Sequence, residues 1–228
     1  MFSDMKLPAS LTEEFKTEWG REVRILSEER GVNGELLMVE DLATSRQYEV
    51  YLFNEERPEL REAMDLRIDI VSGLGSFSAY SHARFSRAWC KTFERLEEIG
   101  DQRFPNRTLA SFWCNLVKDF SIIRSEGVGT LCNFGPHQLG LSKSGELKMA
   151  GYFIFTRLNE ENVERANHRT IGGLRSILYH LTVHNSSDGL SRQAHWLRHM
   201  GNAPMRTMSD VALIAEAIWR VAEWWERA

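Results

Sequence analysis

Over residues 21–53, apolar and polar positions alternate. Val23, Ile25, Leu36, Met38, Tyr48, Val50 and Leu52 fall in short runs broken by Gly31-Val32-Asn33-Gly34 and by Ala43-Thr44-Ser45-Arg46. A period of two punctuated by turn formers predicts three antiparallel strands. At Pro58 the rhythm changes. Leu60, Met64, Ile68 and Val71 recur at helical spacing, and proline suits a first helical turn, so a helix is expected from 58 to about 74. Residues 11–19 read as a short helix or an extended lead-in, and 85–93 as a strand pair or a strand with a hinge.

Further along, Leu109, Phe112, Trp113, Leu116 and Phe120 form one apolar face, predicting a helix over 108–123. Leu139-Gly140-Leu141 and Leu147-Lys148-Met149 flank Ser144-Gly145 and predict a hairpin. Helices are also expected over 171–183 and 209–227. The second would have Ser209 as its cap and Ala215, Ile218, Ala222 and Trp225 on its apolar face. Strands come first, helices follow, and no internal repeat intervenes. The order predicts an α+β chain with a sheet-rich lobe and a helical lobe.

At 228 residues the chain has material for one large domain or two small lobes. Its net charge of -4 argues against a dedicated nucleic-acid partner. Residues 1–10 lack the apolar centre of a signal peptide, and no apolar run reaches membrane-spanning length. Cys90, Cys114 and Cys132 are odd in number and far apart, the pattern of reduced thiols, so a cytoplasmic location is expected. Asn106-Arg107-Thr108 and Asn185-Ser186-Ser187 are read as chance matches to glycosylation acceptors.

The richest stretch is Leu131-Cys132-Asn133-Phe134-Gly135-Pro136-His137-Gln138-Leu139, followed by the hairpin and Ala150-Gly151-Tyr152-Phe153. Its spacing resembles a protein-kinase catalytic loop running into the Asp-Phe-Gly turn, with proline where that family usually has it. Upstream, residues 29–36 resemble the glycine-rich loop through Gly31 and Gly34, and residues 41–51 resemble the following turn and third strand. The resemblance, covering about residues 21–155, implies a protein-kinase-like bilobal fold. Its small β-rich amino-terminal lobe would span about 21–97 and an abridged helical lobe about 98–228, with 1–20 as lead-in. The chain after Phe153 lacks an Ala-Pro-Glu motif and is shorter than a full kinase helical lobe uses.

The resemblance also implies that catalysis is lost. Tyr51 stands for the phosphate-pairing lysine, Asn133 for the catalytic aspartate, Gln138 for the metal-binding asparagine and Gly151 for the metal-binding aspartate. Neutral tyrosine cannot pair with phosphate as an ammonium does, an amide is no carboxylate base, and glycine offers magnesium no side-chain oxygen. Glu29 and Glu49 add negative charge where a triphosphate would lie. The helix glutamate is not placed; Asp65 and Asp69 have the right character. The expectation is a pseudokinase with no cofactor, acting as a regulatory protein-binding module. Its partner would be another protein, such as a kinase or signalling protein, or a second copy, with neither nucleic acid nor membrane.

Two other classes compete. An atypical phosphotransferase or nucleotidyltransferase would need relocated groups such as Asp41, Asp119 or Glu146. A metal-binding protein would use His180 with His184 and His195 with His199, each pair spaced to share a helix face. Ser186 near His184 lacks a nucleophile elbow and is read as turn chemistry. Among Trp219, Trp224 and Trp225, which point to different helix faces, at least one is expected to be exposed.

Overall fold

The structure, a computed structural model, describes residues 16, 20–31, 34–53, 58–83, 89–92, 96–149, 155–187 and 191–225. They form an α+β protein whose chain divides into two compact units, residues 1–72 with 78–95 and residues 73–77 with 96–228. The assignment of 73–77 to the second unit is not foreseen by the sequence pattern. Among the described residues, no helix is long and apolar enough to cross a membrane. Residues 1–15 and 150–153 lie outside the described residues.

The first unit contains β1 (Val23–Gly31), β2 (Gly34–Asp41), β3 (Gln47–Phe53), α1 (Pro58–Leu66), β4 (Tyr80–Ala83) and β5 (Trp89–Thr92). The strands make one antiparallel sheet in the order β1-β2-β3-β5-β4. Gly31 pairs with Gly34 across the first hairpin. Alternation sends Leu37, Val39, Tyr48, Val50 and Leu52 into a core with Val23. The three expected strands over 21–53 are therefore present. Within 85–93, β5 occupies 89–92, while 84–88 and 93 fall outside the described residues.

Asp41 closes the β2–β3 turn from inside. It is fully buried, and its carboxylate accepts from Ala43 N–H (2.9 Å), Thr44 Oγ (2.8 Å) and the Arg21 guanidinium. Ser45, at φ 53°, completes the turn by donating its N–H to the Asp41 carbonyl (2.8 Å). Burial alone would push the Asp41 carboxyl upward. Hydrogen bonds from Thr44, Arg21 and Ala43, with the charge of Arg21, outweigh it and hold the group below its ordinary value.

The helix expected to run on to 74 changes character at Arg67. Residues Arg67–Val71 form a π-turn, with Ser72 N–H reaching back to the Arg67 carbonyl (3.0 Å). Leu60, Met64 and Val71 are buried as expected, but Arg67 is buried and Ile68 only half-buried. The extra residue of a π-turn rotates the helix face and accounts for the difference. Arg67 donates to the Ser78 carbonyl (2.8 Å) and lies 4.7 Å from the Tyr80 ring centroid, a cation–π contact.

The second unit contains β6 (Glu97–Glu98), α2 (Asn106–Ser125), β7 (Val128–Thr130), a 3₁₀ turn (Pro136–Gln138), β8 (Leu139–Leu141), β9 (Leu147–Met149), β10 (Phe155–Arg157), α3 (Val163–His184), α4 (Arg192–Gly201) and α5 (Met208–Trp224). The small sheets run β6-β8-β9 and β10-β7, all pairs antiparallel. The expected hairpin is β8–β9. The helix expected over 171–183 begins earlier, at Val163, after an asparagine turn. There Asn159 and Asn162 exchange side-chain to backbone hydrogen bonds (2.9 and 3.0 Å). The cap of α5 is Thr207 rather than Ser209. Thr207 and Asp210 form a reciprocal capping box (3.2 and 2.9 Å), which a cap placed two residues later cannot make.

The core of this unit lies between α2, α3 and α5. Trp113, fully buried, donates its indole N–H to the Leu174 carbonyl (2.9 Å). Cys114 faces the Ala215 carbonyl (3.3 Å), and burial pushes its thiol up to about 12, so it is unreactive at neutral pH. An aromatic column crosses the unit. Phe77 meets Phe120 edge-on (5.5 Å), Phe120 stacks on Phe134 (4.9 Å), and Phe134 lies against Gly173. A hydrogen-bonded seam joins 100–106 to 185–191 through Asn106, Ser186 and Ser191 (2.6 and 2.9 Å) and from Asn185 to the Gln102 carbonyl (2.9 Å). Asn106 and Asn185 are buried in it, which removes both as glycosylation acceptors.

Two predictions follow from this packing. A β-carbon at 173 would stand 2.5 Å from the Phe134 ring, whereas one at 172 meets nothing within 4 Å. Helix propensity favours alanine over glycine by about 1 kcal/mol. Gly172→Ala should therefore stabilise by up to about that much, and Gly173→Ala should destabilise by about 1–3 kcal/mol, both read from urea midpoints. For Asp41, the folded pKa lies below the unfolded value, so its stabilisation is present above about pH 4 and fades as pH falls through the folded value. The Tm deficit of Asp41→Asn should be largest near neutral pH and shrink towards about pH 3; a constant deficit would contradict a charge-based role.

Candidate functional site

The positions singled out by the kinase resemblance fall in both units. In the first, Tyr51 lies in the middle of β3, in register with Leu36 on β2 and Cys90 on β5. It is 9% exposed, and its ring tilts against Tyr80 at 5.9 Å. A buried phenol in this setting brings no positive charge to the strand. Gly31 and Gly34 form the backbone of the β1–β2 hairpin, and Glu49 is half-buried on β3. Among the described residues of this unit, Arg67 is a buried cation. It was not anticipated, because a lone arginine in a helical stripe reads as a solvated side chain.

In the second unit, the segment between β7 and β8 holds Asn133 and Gln138. Asn133 is exposed, and its amide oxygen accepts from the Arg169 guanidinium on α3. Gln138 turns back on its own 3₁₀ turn, its Oε1 accepting from Gly135 N–H (3.2 Å). Both amide oxygens that the resemblance would direct at a hydroxyl or a metal are thus engaged with the protein. Cys132 is half-buried, and its N–H donates to Thr130 Oγ (3.2 Å). Phe134, between them, is buried beneath Phe120. Gly151 lies outside the described residues.

The histidine quartet is not assembled. His180 and His184 do share a face of α3, with ring centroids 4.8 Å apart, and burial followed by the charge of His184 lowers the His180 pKa. His195 and His199 are both exposed on α4. Among the described residues, no three His, Cys, Asp or Glu side chains gather as a metal ion would require. The expected helical spacing is right, but spacing within two helices does not make their faces converge. Ser186 donates to Asn106 Oδ1 (2.6 Å) inside the seam, so its hydroxyl serves packing.

Of the three carboxylates considered for relocated catalysis, Asp41 is consumed by its turn. Asp119 and Glu146 both line one cleft of the second unit. Sequence reasoning did not find Ser76, which shares that cleft, or Gly173 beneath Phe134. A signal existed for the second, since paired glycines inside a helical pattern mark close approach.

Comparison with family models gives no match, and comparison with curated proteins gives none either.

Proposed function

We propose that this chain is a kinase-like, non-catalytic protein-binding module. The observation that carries the reading is the pairing of two features. The first unit has the antiparallel order β1-β2-β3-β5-β4 with a helix between its third and fourth strands. The second has a proline-containing loop between β7 and the β8–β9 hairpin in which Asn133 and Gln138 hold the catalytic-loop spacing. Both agree with the order of elements that the sequence resemblance implies.

Loss of phosphotransfer follows from the side chains at those positions. Tyr51 supplies no ammonium, Asn133 is held by Arg169, and Gln138 is held by its own turn. Removing positive charge and metal ligands together eliminates most of what stabilises a transferring phosphoryl group. What remains is surface. Leu213 (65% exposed), Tyr179 (52%) and Trp219 (41%) present large apolar side chains in the second unit, and exposed aromatics of this kind favour protein interfaces. Trp225 instead meets Trp196 edge-on at 6.0 Å.

Thermal-shift titration with ATP and magnesium or manganese tests the reading. A ligand present at a hundred times its Kd adds about 2.7 kcal/mol to stability, so a binder would register clearly, and no shift is expected. A metal-dependent rise would favour the phosphotransferase alternative. Asn133→Asp combined with Gly151→Asp should still show no turnover, because Tyr51 leaves the lysine role empty; turnover in that variant would contradict the proposal.

A further inference from the structure

Along the exposed side of α2 the second unit carries a cleft of about 670 Å³. Phe112 and Leu147 give it apolar walls, and both are buried. Deeper polar groups are Asp119, 8% exposed, and Ser76, 3% exposed. They are joined by the Ser76 N–H, which donates to Asp119 Oδ2 (2.9 Å). Among the described residues, no second donor reaches the Asp119 carboxylate, and the buried Ser76 hydroxyl has no partner. A carboxylate offers about four acceptor sites, and near-complete burial with one donor is costly unless others arrive. The Asp119 carboxylate therefore keeps unused acceptor capacity at the cleft, with the Ser76 hydroxyl buried beside it.

We propose that this cleft binds the guanidinium or ammonium head of a basic side chain, carried on an extended peptide segment of another protein. The head would donate to the Asp119 carboxylate, supplying the missing bonds in a charge-assisted form. The length of the cleft favours a peptide over a compact amine. Arg107, Ser111, Asn115 and Lys118 lie at steps of four, four and three residues on one face of α2. That stripe runs roughly 16 Å at the helical rise, the reach of about five extended residues. The rim carries Arg107 and Lys118 as well as Glu146. Such a mixture selects a basic residue with acidic neighbours and disfavours a polycation.

The test is an amide-resonance titration of the isotope-labelled chain with two probes. One is a capped pentapeptide with a central arginine flanked by glutamates, and the other is arginine amide. Saturable shifts at Ser76, Asp119 and Leu147 are expected, with the peptide binding more tightly. Asp119→Asn keeps an acceptor for the Ser76 N–H while removing the charge, and it should raise the peptide Kd at least about tenfold. Asn115→Trp, at an exposed position on the stripe, should weaken the peptide more than it weakens arginine amide. A peptide with glutamine in place of arginine should not bind. No saturable shift with either probe, or an unchanged Kd in Asp119→Asn, would overturn the proposal, and equal affinities for the two probes would overturn the peptide as occupant. None of these outcomes bears on nucleotide binding, so the reading in the preceding section stands or falls separately.

Discussion

The contact of Phe134 with Gly173 fixes how closely the loop before β8 approaches α3. It is possible only because α3 presents bare backbone at that point, where any β-carbon would meet the ring. The ring is also stacked on Phe120, which in turn meets Phe77, so one apolar column ties α2, α3, the loop before β8 and the segment 73–77 together. Tight packing of this kind transmits position. The residues flanking Phe134 inherit their places from it, and Asn133 and Gln138 then settle into hydrogen bonds with Arg169 and Gly135. Dispersion and shape order this loop.

The first unit solves a different problem. Its sheet has an apolar core from strict alternation, yet it also buries Asp41 and Arg67 completely. Both are accommodated locally. Asp41 is wrapped by its own turn and by Arg21, and Arg67 lies on Tyr80 and bonds to the Ser78 carbonyl. Burying a charge is costly, and the hydrogen bonds at Asp41, with the Ser78 carbonyl and Tyr80 ring at Arg67, offset part of that cost. Their presence makes the turn and the end of α1 intolerant of substitutions that a surface position would accept.

Much of this was legible in the sequence, for identifiable reasons. The three strands over 21–53 follow from a period of two, and α2 and the β8–β9 hairpin from strong local patterns. The turn before β8 was marked by Pro136 and by the apolar residues on either side of it. Tertiary facts were less accessible. That Asp119 and Ser76 meet depends on a bridge between residues 77 and 149 and on the Met149 N–H reaching the Ser76 carbonyl (2.8 Å), which no local pattern encodes. The four histidines show the converse: intrahelical spacing was correct, but the faces of α3 and α4 were unknown. The early start of α3 was hidden because the polar run from Asn159 suits a turn and a solvated helix equally well.

The π-turn at Arg67–Val71 bears on how this helix is compared with any other. Each residue of an α-helix advances the azimuth by about 100°, so a single inserted residue puts everything beyond it out of phase with a regular helix. Counting acidic positions forward from Pro58 therefore reaches the wrong side of the helix after Leu66. Asp65 lies before the insertion and Asp69 within it, so sequence spacing alone does not relate the faces they occupy. Alignment here has to be anchored separately at each end, with the gap placed inside the turn.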